Sequence, residues 1–207
     1  MSSPKKPKRE NYFKGYDTLY RWFSYWWQID AVTQLDQKKI LEVGVGNGTV
    51  SDYLKKHGFE VTTGDINPRL KPDRVVDVAA LPFKDHSYDL VLCCEVLEHL
   101  PFAKVKKAFK EMNRVTKKYA VISIFAANLG ASFIAKIPLL RLIHFHLKVP
   151  LFWQKHNFDG DHYWAIGKKK YPVSKVRRAI RESGFKIIEE SFPPLNLHHH
   201  FFILEKE

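Results

Sequence analysis

Glycines at alternate positions mark the stretch of the sequence best suited to hold a ligand. Gly44, Gly46 and Gly48 follow a short apolar run that contains Glu42, and Thr49 begins a helical pattern. Glycine lets the backbone turn tightly and approach a bound molecule closely, and the first turn of a helix presents free N–H groups. The spacing therefore predicts a nucleotide-binding turn between a strand and a helix.

The glycine spacing also indicates whether the turn is of the dinucleotide-binding kind. A dinucleotide-binding turn carries the pattern G-x-G-x-x-G. Counted from Gly44, the third glycine would stand at position 49, and that residue is Thr49. The pattern therefore disfavours NAD as the ligand.

Carboxylates stand at or just after the ends of the next three predicted strands. Asp65, Asp77 and Glu95 follow short runs at residues 60–63, 74–76 and 88–94. Ligands of open parallel sheets bind outside the carboxyl ends of the strands. We therefore expect the three carboxylates to lie beside the glycine-rich turn.

The elements that position these residues alternate between strand and helix. Helical patterns cover residues 17–33, 102–115 and 174–183, and further strands are predicted at residues 119–125, 186–190 and 201–204. Strands that alternate with helices predict an α/β fold with an open, mostly parallel, doubly wound sheet.

Length and composition predict one domain with attachments. With 207 residues, 45% of them hydrophobic, the chain can bury one core and is short for two. We expect a disordered basic tail at residues 1–11 and a single domain at residues 12–207. Residues 12–36 form an aromatic helix, either a lid over a ligand or a helix packed on the sheet edge. Residues 126–172 show no regular alternation and are interpreted as an insertion over the acceptor site.

Charge and cysteine content restrict the partners and the compartment. The formal charge of +12 favours contact with phosphates, anionic lipid or acidic substrates. Cys93 and Cys94 are adjacent, and neighbouring strand side chains point to opposite faces, so a disulfide between them is not expected. The N-terminus lacks the apolar core of a signal peptide. These observations predict a cytoplasmic protein.

The motifs of residues 40–100 resemble, in the right order, those of the class I S-adenosylmethionine-dependent methyltransferases with a methyltransferase type 11-like domain. The pattern Glu-x-Gly-x-Gly-x-Gly at residues 42–48 resembles the first motif of that family, and residues 77–100 resemble its third and fourth strand signatures. The resemblance implies a three-layer, Rossmann-like α/β/α fold with a seven-stranded sheet whose last strand is antiparallel.

The same resemblance implies S-adenosyl-L-methionine as the cofactor and S-adenosyl-L-homocysteine as the product. Asp65 stands where the family places the acid that binds the ribose hydroxyls, and Asp77 stands where it binds the adenine amino group, with Val78 against the ring. Glu42 would organise the positively charged end of the cofactor or hold the glycine-rich loop in shape. The other cofactor-binding residues that it implies are Gly44, Gly46, Gly48, Ile66, Cys94 and Glu95.

The first candidate for the acceptor half of the site is Glu95-x-x-Glu98-His99. Two carboxylates and an imidazole can ligate a hard divalent metal, and the letters resemble metal-dependent RNA 2′-O-methyltransferases and certain quinone-pathway O-methyltransferases. They also occur in methyltransferases without a metal, where Glu95 lines the cofactor pocket and His99 the acceptor pocket. We expect no metal, and we assign His99 a catalytic role.

Two further histidine-containing segments are candidates for the acceptor half. Residues 159–167 resemble a D-H-x-W-x-x-G segment of a prokaryotic subgroup of the family. His162 is a candidate general base, because an unperturbed imidazole titrates near neutrality; alternatively, it only satisfies backbone groups in a turn. His198, His199 and His200 enter the last strand, where neighbours point to opposite faces, and edge or packing roles are expected for them.

The acceptor is predicted from what the motifs lack and from the insertion. Glu95-Val96-Leu97 replaces the Asn or Asp followed by Pro-Pro that DNA amino-methylating members carry, so DNA is not expected. Residues 126–172 mix apolar and aromatic residues with lysine and arginine, which suits a membrane surface or an amphipathic pocket. The alternative is an extra helix pair that covers one end of the sheet.

These observations predict a methyltransferase that acts on a small or lipid-like acceptor, anionic acceptors included, with peripheral membrane contact. An RNA methyltransferase is the rival enzyme, because the same basic residues suit phosphates. A non-catalytic S-adenosylmethionine-binding or interaction module is the rival of another class. The sequence leaves the oligomeric state open.

Overall fold

The computed structural model describes residues 15–138 and 143–207, so the predicted tail at residues 1–11 lies outside the described residues. A seven-stranded sheet forms the centre. Its strands are β1 (Lys39–Val43), β2 (Glu60–Asp65), β3 (Arg74–Val75), β4 (Tyr88–Cys94), β5 (Thr116–Phe125), β8 (Phe185–Ser191) and β9 (His199–Lys206). A separate hairpin pairs β6 (Asn128–Ala135) with β7 (Ile143–Pro150). The helices are α1 (Leu19–Leu35), α2 (Thr49–Lys56), α3 (Phe102–Val115) and α4 (Val173–Arg181).

The order of the central sheet is β3-β2-β1-β4-β5-β9-β8. The first five strands of this order pair in parallel, and β9 runs antiparallel to both of its neighbours. The parallel register brings the carboxyl ends of β1, β2 and β4 to the same edge. The predicted α/β fold, with its seven-stranded sheet and antiparallel last strand, is confirmed.

Hydrophobic clusters cover both faces of the sheet, which explains why its central strands are continuous apolar runs. Neighbouring strand residues point to opposite faces, so Leu41 joins the cluster that includes residues of α3 and α4, while Ile40 joins the cluster that includes residues of α1 and α2. The result is a three-layer α/β/α arrangement. In the described part of the chain, no helix is both long and apolar enough to span a bilayer.

The segment after β5 differs from the sequence-based prediction. The helix-pair alternative for residues 126–172 is wrong, because β6 and β7 form an antiparallel hairpin instead. The expectation that residues 126–172 show no regular alternation is also wrong, because apolar and polar residues alternate over residues 143–149, the pattern typical of a strand.

Trp164 anchors the chain that returns from the hairpin. Its side chain is fully buried, and its indole Nε1–H donates to the carbonyl oxygens of Leu97 (3.2 Å) and Leu100 (3.1 Å). The indole also packs edge-on against Phe102 at 4.8 Å between ring centroids. This contact holds residues 159–166 beside the turn that follows β4.

Candidate functional site

The glycine-rich turn leaves the carboxyl end of β1 with a backbone that only glycine accommodates well. Gly44 has a φ of +92°, and its N–H donates to the carbonyl oxygen of Gly64 at 2.8 Å. A Cβ at Gly44 would also collide with the side chain of Val96. Gly48, with a φ of +85°, stands directly before α2. The turn therefore brings half-buried backbone to the start of a helix, the arrangement predicted for a nucleotide-binding turn.

Asp65 is held beside this turn by backbone donors. Its Oδ2 accepts from the N–H of Val45 at 3.1 Å and its Oδ1 accepts from the N–H of Asn67 at 2.7 Å. These bonds fix the orientation of the carboxylate beside the glycine-rich turn. Next to it, the side chain of Ile66 is 55% exposed.

Asp77 uses its carboxylate in a turn, whereas the side chain of Val78 is buried in the core. Asp77 Oδ1 accepts from the N–H of Ala79 at 2.8 Å, which makes Asp77 a turn residue in the present state. The side chain of Val78 is buried in the core cluster on the α3 and α4 side of the sheet. Contact between Val78 and an adenine ring thus stays a prediction.

Buried glutamates are concentrated at the same edge of the sheet. Burial raises the pKa of Glu42 to about 8, that of Glu95 to about 7 and that of Glu98 to about 8, the nearby charge of Glu95 adding to the last of these. Among the described residues, the buried Oε2 atoms of Glu42 and Glu98 have no hydrogen-bond partner. Buried polar atoms are usually paired, so this edge is chemically suited to a cation or to hydrogen-bond donors.

Glu95 lies in a chain of polar side chains that connects β4 with α1. Its Oε1 accepts from the Ser123 hydroxyl at 2.8 Å, and its Oε2 lies 3.3 Å from His199 Nε2. His199 Nδ1 lies 2.6 Å from the Ser24 hydroxyl of α1. Glu95 adopts a φ of +55°, a conformation that costs a non-glycine residue free energy and that is often found at functional sites.

His199 is a site residue for which the sequence predicted only an edge or packing role. Strand register places it opposite Phe125, at the same end of the sheet as Glu95. Burial, followed by the positive charge of Arg21, lowers its pKa to about 4, so the imidazole is neutral near pH 7. The other two histidines make separate contacts: His198 Nδ1 lies 3.2 Å from the Ala126 carbonyl oxygen, and His200 Nε2 lies 2.6 Å from Glu190 Oε1.

The start of α1 is connected to the glycine-rich turn by side-chain hydrogen bonds. Asp17 accepts from Asn47 Nδ2 at 2.9 and 3.1 Å and from the Tyr25 hydroxyl at 2.9 Å. The guanidinium carbon of Arg21 lies 3.9 Å from the centre of the Tyr16 ring. These residues were not predicted, because no motif marks them and their position depends on how α1 packs.

His99 and His162 come together at the acceptor end of the site. Their ring centroids lie 4.9 Å apart, and the ring of His162 also stacks on Phe125. His99 Nδ1 lies 3.0 Å from Asp161 Oδ1. Burial alone would lower the pKa of His99, but Asp161 and the charge of Glu98 outweigh it and raise that pKa to about 9, so His99 is an imidazolium near neutrality.

His162 lies in a turn, as in the alternative in which it only satisfies backbone groups. Its imidazole nevertheless faces the site. Asp159 Oδ1 accepts from the backbone N–H groups of Asp161 (3.0 Å) and His162 (2.7 Å), which is an Asx-type turn. The turn orients the backbone, while the imidazole stacks on Phe125 and packs at a tilt against His99. His162 is therefore both a turn residue and a side chain of the candidate site.

The potential metal ligands in the structure differ from the set Glu95, Glu98 and His99 that the sequence suggested. One ligand atom each from Glu98, His99 and His162 lie within 4.8 Å of one another, and these three residues are able to hold a metal ion. Glu95 instead contacts Ser123 and His199. Metal binding by this trio would require His99 to lose the proton that Asp161 stabilises.

Comparison with known proteins links this geometry to one family. Residues 41–124 match the family model described as a methyltransferase domain. The demethylmenaquinone methyltransferase of Renibacterium salmoninarum is 34% identical over 99 residues, covering 43% of this chain and 41% of that protein. A ubiquinone biosynthesis O-methyltransferase of Hydrogenovibrio crunogenus is 32% identical over 127 residues, covering 48% of this chain and 52% of that protein. The chain thus spans about half the length of these relatives.

Among solved structures, the magnesium protoporphyrin IX methyltransferase of Synechocystis PCC 6803 with bound SAH is similar to this chain. The TM-score is 0.62 at 15% identity, with 96% of this chain and 92% of that chain covered. At this level of identity the likeness shows the fold alone.

The buried Glu42 predicts a specific dependence of stability on pH. The folded protein holds this proton up to about pH 8, whereas an unfolded glutamate loses it near the ordinary pKa of 4.5. Between these values the unfolded state binds fewer protons, so the free energy of unfolding falls as pH rises. We expect Glu42→Gln to remove a slope of up to about 1.4 kcal/mol per pH unit, measured by urea unfolding between pH 5 and 8.

Glu60→Gln is the matched control, because Glu60 is an exposed glutamate on the neighbouring strand β2. This variant should keep the pH dependence of the wild-type protein. Identical slopes for Glu42→Gln and the wild type would show that Glu42 is ionised in the folded state across this range.

Proposed function

The chain belongs to the class I S-adenosylmethionine-dependent methyltransferases, and from this premise we propose that it transfers a methyl group from S-adenosyl-L-methionine to a small or lipid-like acceptor. S-adenosyl-L-homocysteine is the second product. The reaction is an in-line displacement: an acceptor lone pair forms a bond to the methyl carbon, the carbon–sulfur bond breaks, and its electrons stay on sulfur. Positioning supplies much of such catalysis, because the donor is already activated.

The observation that carries the cofactor proposal is the buried carboxyl of Glu42, next to the glycine-rich turn, whose Oε2 atom has no hydrogen-bond partner among the described residues. S-adenosyl-L-methionine carries a sulfonium and an ammonium group, and a cation at this edge favours the ionised form of Glu42. Asp65, oriented by two backbone N–H groups, is proposed to accept hydrogen bonds from the ribose hydroxyls. Asp77, Ile66, Val78 and Cys94 complete the proposed adenosine side.

The acceptor side combines two positively charged side chains with candidate bases. Imidazolium His99 is suited to orient an anionic acceptor, and Arg21 adds a second positive charge near Glu95. A general base is most effective when its pKa lies near the working pH, and burial places the pKa of Glu95 at about 7. We propose Glu95, with His199 beside it, or His162, as the group that accepts the acceptor's proton.

Residues 12–36 and 126–172 are proposed to close the site from two sides. On the first side, the bonds from Asp17 to Asn47 and Tyr25 hold α1 against the glycine-rich turn. If α1 is a lid, Asp17→Ala should release bound cofactor several-fold faster in a stopped-flow displacement experiment. An unchanged release rate would assign α1 a purely structural role.

Peripheral contact with a membrane belongs to the same proposal, because a lipid-like acceptor is concentrated there. The alternative acceptor is RNA, which Lys168, Lys169 and Lys170 favour through their charge. The relatives with a quinone-pathway name support a small-molecule acceptor, although the chain spans only about half of their length.

Binding of S-adenosyl-L-methionine should release a proton from Glu42. Calorimetry near pH 7 in two buffers of different ionisation enthalpy should give a proton release of up to about one per site, and Glu42→Gln should abolish it. Asp65→Ala should weaken binding by roughly ten- to a hundred-fold, the effect of losing charge-assisted hydrogen bonds. Unchanged affinity in Asp65→Ala would contradict the ribose assignment, and Glu60→Gln again serves as the control.

The methyl acceptor can be identified by the fraction that becomes labelled. The protein is incubated with methyl-labelled cofactor and a cell extract, which is then separated into lipid, small-molecule, protein and RNA fractions. We expect label in the lipid or small-molecule fraction, and expect His99→Gln to reduce it at low acceptor concentration. Label in RNA would favour the rival enzyme, and cofactor binding without any transfer would favour the non-catalytic module.

A further inference from the structure

The β6–β7 hairpin has two faces of opposite character, and the apolar face points away from the protein. Directly opposed residues of an antiparallel pair share a face. Every residue of the outward face is apolar and exposed: Leu129, Ala131, Phe133, Ala135, Ile143, Phe145, Leu147 and Val149. Phe133 and Phe145 stack on each other at 4.9 Å between ring centroids. A contiguous exposed apolar surface of this kind marks an interaction site.

The other face of the hairpin supplies the contacts with the body of the protein. His144 packs edge-on against Trp27 of α1 at 5.9 Å, and Lys148 Nζ lies 3.4 Å from the centre of the Phe192 ring. At the base of the hairpin, Asn128 Nδ2 donates to the Leu197 carbonyl oxygen at 2.8 Å. Most antiparallel sheets turn their apolar face to the core, so this hairpin has the reverse polarity.

The hairpin and the segments that flank it in the sequence carry charged residues of one sign. The sequence contains no Asp or Glu between Glu111 and Asp159, while this stretch includes the exposed Lys136 and Lys155. Immediately after β7, the side chains of Phe152 and Trp153 are 67% and 51% exposed. Tryptophan and lysine beside an apolar surface are typical of the boundary between acyl chains and headgroups.

We propose that the outward face of the β6–β7 hairpin lies on the surface of an anionic lipid bilayer, with its apolar side chains among the upper acyl chains. Surface lysines attract anionic headgroups, and apolar burial holds the face in place. A protein partner fits less well, since lysine is depleted at protein interfaces. A second copy of the chain would bring together two proteins of formal charge +12.

The hairpin starts directly beside the acceptor end of the site. Phe125, the last residue of β5, stacks on His162, and β6 begins three residues later. A bilayer held by the hairpin would therefore lie close to His99 and His162. Delivery of a lipid-like acceptor rests on the proposed function, whereas attachment to the bilayer does not.

The test is co-sedimentation of the full chain with large unilamellar vesicles. Vesicles of phosphatidylcholine and phosphatidylglycerol (3:1) should carry the protein down, pure phosphatidylcholine should bind it more weakly, and added salt should reduce binding. The double variant Phe133→Ser/Phe145→Ser should partition at least roughly ten-fold less, because it removes two apolar anchors. Tyr53→Ser, at an exposed aromatic residue of α2, should bind like the wild type.

Two further measurements on the same variants keep the outcomes distinct. Thermal stabilisation by S-adenosyl-L-methionine in the double variant would show that the fold and cofactor site are intact. Absence of vesicle binding by the wild type, or equal binding by the double variant, overturns the docking proposal even if methyl transfer is found. Self-association in analytical ultracentrifugation that the double variant abolishes would assign the face to a second copy and also overturn it. Vesicle binding without cofactor binding would instead overturn the proposed function.

Discussion

The desolvation of carboxyl groups at one edge of the sheet is the constraint on which the site depends. Parallel strands bring their carboxyl ends together, and among the described residues the buried Glu42 and Glu98 found there each have an oxygen without a hydrogen-bond partner. A buried ionised carboxylate is costly unless it is paired, so Glu42, Glu95 and Glu98 hold protons up to pH values near neutrality or above it. A cationic cofactor at this edge would replace those protons as the compensating charge.

The elements at this edge of the sheet could be predicted from sequence because they depend on short, local sequence patterns. The glycines of the turn are required by backbone angles and by the approach of Val96 to Gly44, and apolar runs followed by acids define the strands. The same reasoning predicted β9 only from Phe201, although the strand begins at His199. The two missing residues matter, because His199 is the one that contacts Glu95.

The residues that sequence could not predict are those that depend on packing between distant segments. Ser24, Glu95 and His199 form one chain only because α1 packs against the start of β9, 175 residues away along the chain. Likewise, the pKa of His99 is raised by Asp161, which belongs to a segment held in place by Trp164. In such cases the chemistry of a residue is decided by a partner that no short motif contains.

The reversed polarity of the hairpin is the clearest case in which a local pattern was present and its meaning depended on the fold. Alternation in Ile143–Pro150 predicts a strand but does not say which face is buried. Here α1 and Phe192 contact the face of His144 and Lys148, so the apolar face is left outside. A protein that kept such a face exposed in water would be prone to aggregate. The proposed attachment to a bilayer surface would remove that liability and place the acceptor side of the site where apolar molecules are concentrated.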